Sequence, residues 1–239
     1  MARFLGDEYK IKLSSKTAEK IPFYTDLGFE AYVLNEDEQG WLNDLLECDY
    51  LFINFPPSKF DNYIKFLSAI YAHPKIESVK KIIFISSTSV YPSQNGVYTE
   101  GCKINMPTSQ IVYDAELTAM QGGSVIFRCA GLMGDDRIAG KYFAGKTVND
   151  GEAKVNHVHM YDVLRATKFV LDNDISGVFN LCADEHPTKK ELYSHNAKRF
   201  LFAAPIFETT NKNSDRIVDG TKIKQLGFRY EYADPMLFV

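Results

Sequence analysis

Short apolar runs alternate with helical stretches along the first half of this chain, and that alternation constrains its fold more than any other feature. The runs at 9–15, 29–35, 49–58, 80–87 and 124–131 read as strands. Between them lie a helix-like connection at 17–28, broken at Pro22 and closed by Gly28, the segment 41–47, and helices at 60–73 and 109–121. In 60–73 the apolar residues Tyr63, Phe66, Leu67, Ile70 and Tyr71 recur at helical spacing. Alternating strands and helices predict an α/β fold with a parallel sheet covered on both faces. Ligands of such sheets bind outside the carboxyl ends of the strands. That rule puts Ser14 to Lys16, Phe55 to Pro57, Ser86 to Ser89 and Cys129 to Leu132 on one rim.

The second half is looser. Residues 135–156 are rich in glycine and charge and read as a long loop region. A short strand running into an amphipathic helix follows at 157–173, then a strand at 177–185 and a helix at 188–202. The change near residue 135 predicts a core over 1–134. It leaves 135–239 as a mixed part, in which a small substrate lobe is joined by returning core elements.

Composition narrows the partners. The 239 residues carry a net charge of −4, which favours neither nucleic acid nor an anionic membrane. No apolar run is long enough to span a bilayer, and "MARFLGDEYK" lacks the apolar core of a signal peptide. Cys48, Cys102, Cys129 and Cys182 are scattered without a C-x-x-C pair, as reduced thiols of a cytoplasmic protein would be. A small molecule is the expected partner, and a homodimer is compatible with the sequence.

Three motifs bear on chemistry. "GKYFAGKT", Gly140 to Thr147, satisfies G-x-x-x-x-G-K-[ST] letter for letter. A phosphate loop needs a strand before it and a helix after it. Here "GDDRIA" precedes and an Asn-Asp-Gly turn follows, so triphosphate binding is not expected, although Lys141 and Lys146 remain candidates for binding an anion. His157 and His159 share one strand face, but no third ligand is evident and no metal site is expected. The hydroxyl run Ser86 to Ser89 has no G-x-S-x-G elbow, which argues against a hydrolase nucleophile.

Five segments in order carry a resemblance: "SSTSVYP", "FRCAGLMG", "VNHVHMYDVLRA", "GVFNLCADEHPTKKEL" and "DGTKIKQLGF". Together they resemble the extended short-chain dehydrogenase/reductase superfamily, the NAD(P)-dependent epimerase/dehydratase group. "FAGKT", "NDGEAKVNHVH" and "IVDGTKI" are similar to its atypical YeeZ-like members. The resemblance implies a Rossmann-like, doubly wound parallel sheet with a small C-terminal α/β substrate lobe. It also implies that the first strand and its G-x-G-x-x-G loop are missing, so the chain reads as N-terminally truncated. In the order 3-2-1-4-5-6 that strand is central, and each amide or carbonyl orphaned beside it would cost about 1–3 kcal/mol.

The resemblance further implies a Ser or Thr at a strand end with Tyr-x-x-x-Lys on the next helix. Ser87 matches the hydroxyl that would meet the reacting oxygen, and Tyr113 the acid/base. Four residues on stands Leu117, not lysine; in the other register Ser109 takes the tyrosine place and Tyr113 the lysine place. Tyr71/Lys75 and Tyr142/Lys146 repeat the spacing out of context. At the end of the second family strand, "LSSK" has no acid for a ribose 2′-OH. Ser14, Ser15 and Lys16 suit a 2′-phosphate, so NADP is expected over NAD, with Phe55, Pro56 and Pro57 on the adenine side. Arg137, Lys141, Lys146 and His157 would meet an anionic substrate. The implied activity is that of an oxidoreductase or epimerase on a small polar or nucleotide-linked substrate. The rival expectations are an inactive NADP(H)-binding sensor or interaction protein, and a truncated chain unable to bind a dinucleotide.

Overall fold

The computed structural model describes residues 2–208 and 215–238, with Arg3 described by its backbone alone. In chain order the elements begin with α1 (Ala2–Leu5), β1 (Lys12–Ser15), α2 (Ile21–Asp26), β2 (Glu30–Val33), α3 (Leu42–Leu45), β3 (Tyr50–Ile53) and α4 (Tyr63–Tyr71). Then come β4 (Lys81–Ser87), β5 (Gly96–Tyr98), α5 (Gln110–Gln121), β6 (Val125–Cys129) and β7 (Gly131–Met133). The chain continues through β8 (Thr147–Val148), β9 (His157–His159), α6 (Met160–Asp172), β10 (Val178–Leu181) and α7 (Lys189–Arg199). It closes with β11 (Ile206–Phe207), β12 (Arg216–Val218) and α8 (Thr221–Gln225).

The residues group into two compact units. The first holds the chain up to Ser86, Gln110–Ile126 and Val170–Gly177; the second holds Ser87–Ser109, Phe127–Phe169 and everything described from Val178 onward.

In the first unit β1 pairs with β2, and β3 with β4, both in parallel. Leu13 of β1 lies opposite Ala31 of β2, and Leu51 of β3 opposite Ile82 of β4. No ladder joins one pair to the other among the described residues. Among the described residues β1 and β3 each keep one open edge. β4 is a near-continuous apolar run because a parallel strand is covered on both faces; Ile82, Ile83 and Phe84 are buried. Its first residue, Lys81, is buried too, and its ammonium meets Asp174 at 2.7 Å and the Ile175 carbonyl at 3.0 Å. α4 turns Phe66, Leu67 and Ile70 inward, as its periodicity predicts. The Tyr71 hydroxyl bonds Ser124 Oγ at 2.7 Å just beyond α5. Gly122 lies under that ring, where a Cβ would meet the aromatic carbons at 2.2 Å.

The second unit is built from three further parallel pairings: Gly131 of β7 opposite His157 of β9, Val97 of β5 opposite Ile217 of β12, and Thr147 of β8 opposite Ile206 of β11. The region 135–156, expected to be loop, therefore contributes one short strand, β8. Its partner lies far along the chain, so no local pattern announces it. α7 starts with a capping box: Thr188 Oγ1 accepts from the Glu191 N–H at 3.1 Å, and the Glu191 carboxylate accepts from the Thr188 N–H at 2.7 Å. α6 is anchored by Asp162, which is fully buried. Its carboxylate accepts from the backbone N–H groups of Glu231 and Tyr232 and from Arg165 Nη1, each at 2.9 Å. Tyr91, Arg128 and Asn180 form a second buried polar group: the Tyr91 hydroxyl donates to Asn180 Oδ1 at 2.8 Å and accepts from Arg128 Nη1 at 2.9 Å. Buried polar atoms must be paired in this way or cost about 1–3 kcal/mol each.

Candidate functional site

The second unit contains a cavity of about 350 Å³ lined by Leu132, Asp136, Arg137, Ile138, Ala139, Lys141, Tyr142 and His157. Three of the four residues expected to meet an anionic substrate, Arg137, Lys141 and His157, thus line one cavity. β7 and β9 place them. The chain leaves β7 at Met133, turns back through Gly134 and Arg137, which bond each other's backbones, and enters a 3-10 turn at Lys141–Phe143. Gly140 starts that turn at φ +89°, with Tyr193 packed where a Cβ would stand, so both conformation and space call for glycine.

His157 is fixed from below. Its Nδ1 lies 2.9 Å from the carbonyl of Gly131, its register partner. A Cβ on Gly131 would approach that nitrogen to 2.7 Å, so the absence of a side chain lets the ring sit there. Burial pulls the imidazole below its ordinary value of 6.5, and the Gly131 carbonyl only partly opposes the shift. The ring is therefore neutral at pH 7. Arg137 and Lys141 supply positive charge and Asp136 a single negative one.

Lys146 does not line this cavity: its ammonium sits 4.2 Å from the centroid of the largely exposed Tyr142 ring. Thr147 enters β8 where a phosphate loop would begin a helix. The Tyr71/Lys75 repeat is also structural, since burial raises the Tyr71 phenol to about 12 and Lys75 pairs with Glu47.

Ser87 ends β4, and its Oγ accepts from the Ser89 N–H at 3.2 Å, leaving its own proton to donate elsewhere. Tyr113 stands half-buried on α5, and Leu117, one turn on, is 39% exposed. The neighbouring hydroxyl, Ser86, donates to the buried carboxylate of Glu116 at 2.7 Å. No local pattern announces that pairing, although Glu116 lies within one turn of the buried Ala115 and Ala119 on α5.

On the first unit's rim, Ser14 is exposed, whereas Ser15 is buried with its hydroxyl donating to the Thr17 carbonyl at 2.9 Å. Lys16 reaches the Lys59 carbonyl and lies 4.8 Å over the Phe60 ring. Phe55 packs on that same ring at 5.2 Å and on Phe66 at 5.4 Å. Pro56 and Pro57 lead into the 3-10 turn Pro57–Lys59. Lys16 and the Phe55–Pro57 segment therefore meet through Phe60. No helix of the described residues is long and apolar enough to cross a membrane.

No protein-family model matches the chain. Protein YeeZ of Escherichia coli K12 is 32% identical to it, across 88% of this chain and 83% of the relative. Among solved structures, UDP-N-acetylglucosamine 4-epimerase from Methanobrevibacter ruminantium M1, in complex with UDP-N-acetylmuramic acid, matches at TM-score 0.77 and 15% identity, covering 98% of this chain and 88% of that one. A functionally unknown conserved protein from Silicibacter pomeroyi matches at 0.76 and 19%, covering 98% and 90%. UDP-N-acetylglucosamine 4-epimerase from Bacillus cereus matches at 0.74 and 16%, covering 97% and 87%. These structural likenesses establish a Rossmann-like α/β fold.

Proposed function

The chain belongs to the family of Protein YeeZ, an atypical branch of the extended short-chain dehydrogenase/reductase superfamily, and from that premise we propose that it acts on a small anionic, hydroxyl-rich substrate of the sugar-nucleotide kind, as an epimerase or reductase working with NADP. The observation that carries this reading is the convergence of Arg137, Lys141 and His157 on one cavity. A cavity of about 350 Å³ is at the small end for ligand sites and suits a sugar-sized group bearing one anionic centre. Arg137 and Lys141 would neutralise that centre by charge-assisted hydrogen bonds. The named sugar-nucleotide epimerases of like fold support the substrate class.

The dinucleotide fits only in part. Lys16 and the aromatic Phe55–Phe60 packing suit an adenosine end with a 2′-phosphate. Between β1 and β3, however, the described residues offer no glycine-rich turn whose N–H groups could cradle a pyrophosphate. Among the chain's own groups, the free Ser87 proton is a donor for a substrate oxygen, and Tyr113 is the candidate acid/base.

Incubating the protein with a panel of sugar nucleotides and NADP(H), with product analysis, tests this reading. Turnover that disappears in Arg137→Ala supports it. Leu117 in place of the lysine favours a second reading, a sensor that binds such ligands and converts none. Saturable binding with no product across the panel would select that reading.

A further inference from the structure

We infer that His157 makes this cavity selective for ligands that carry a hydrogen-bond donor, such as a sugar hydroxyl, beside their anionic group, with His157 Nε2 as the acceptor. The inference rests on the anionic-substrate reading above and adds to it a specificity residue. A carbonyl oxygen can only accept, so the 2.9 Å contact with Gly131 makes Nδ1 the donor. In the neutral ring the lone pair is then on Nε2. The ring lines the cavity, and β7 holds it in one orientation because Gly131 has no side chain to displace it.

The surrounding charges agree. From the turn after β7, Asp136, Arg137 and Lys141 face the same space. β7 itself adds no titratable group. On the other side, the Cys182 thiol follows β10 and bonds the His157 backbone; burial pushes it up to about 12, so it is uncharged. Two cations beside a neutral acceptor read an anion and a hydroxyl together. A histidine placed only to bind the anion would be kept protonated, and this one is held neutral by burial.

The test uses UDP-glucose, whose diphosphate does not titrate between about pH 5 and 8, followed by calorimetry across that range. Wild-type affinity should fall as the pH drops below the His157 midpoint. His157→Gln, which keeps an acceptor that does not titrate, should bind with no pH dependence. His157→Phe, which keeps the ring and loses the acceptor, should bind about tenfold more weakly at pH 7.5. Affinity that rises as the pH falls, or a His157→Phe protein that binds like wild type, overturns the inference while leaving the cavity reading in place. No binding by wild type at any pH overturns both.

Discussion

The Ser86 hydroxyl donates to the Glu116 carboxylate across 2.7 Å, with both side chains buried. The bond ties the end of β4 to the inner face of α5, and it commits to structure the hydroxyl next to Ser87. Removing one partner of a buried hydrogen bond takes that bond from the other group. Ser86→Ala should lower the unfolding free energy by about 1–3 kcal/mol, read as a shift in the urea midpoint with unchanged slope. A midpoint equal to wild type would mean the bond contributes nothing net.

Asp162 presents a sharper case. One buried carboxylate holds the Glu231 and Tyr232 amides and the Arg165 guanidinium. Asp162→Ala should cost about 3–5 kcal/mol, because three donors lose their acceptor together. Chemical denaturation measures it, and a loss below that of Ser86→Ala would contradict the described anchoring.

Burial lowers the imidazole values of both His157 and His186. With folded values below the unfolded one of about 6.5, the unfolded chain binds more protons in that window. Stability from these groups is complete above about pH 6.5 and is lost as the pH falls through the folded values. Urea midpoints at about pH 7.5 should exceed those at about pH 5.5, a window above the carboxylate range. His157→Gln should flatten part of the difference.

Gly131→Ala places a methyl where the His157 ring sits, 2.7 Å from Nδ1. Overpacking of this kind costs about 1–3 kcal/mol. The same variant should weaken UDP-glucose binding as the ring is displaced. A stable variant with unchanged affinity would show that the ring's position does not matter.

The strands were legible where local composition decides them. "KIIFISS" became β4 because a doubly covered parallel strand has to be apolar throughout, and α7 lies within the helix expected at 188–202. Pairings between distant segments were not legible: β8 with β11, or β5 with β12, depend on tertiary packing that no short window contains. The same holds at the site. Arg137, Lys141 and His157 could be read as candidates by residue type and context, and the structure brings them together. The tautomer of His157 could not be read, because it depends on the register of β7 with β9 and on a carbonyl 26 residues away. Lys146 looked equivalent to Lys141, yet its ammonium lies over the Tyr142 ring.

Whether Arg137 and Lys141 hold an anionic ligand is measured by calorimetric titration of UDP-glucose into the wild-type protein and into the double variant Arg137→Ala/Lys141→Ala. Saturable binding to wild type should weaken at least about tenfold in the variant, with both proteins equally folded. Equal affinity in the two proteins, or no heat from wild type, would contradict it.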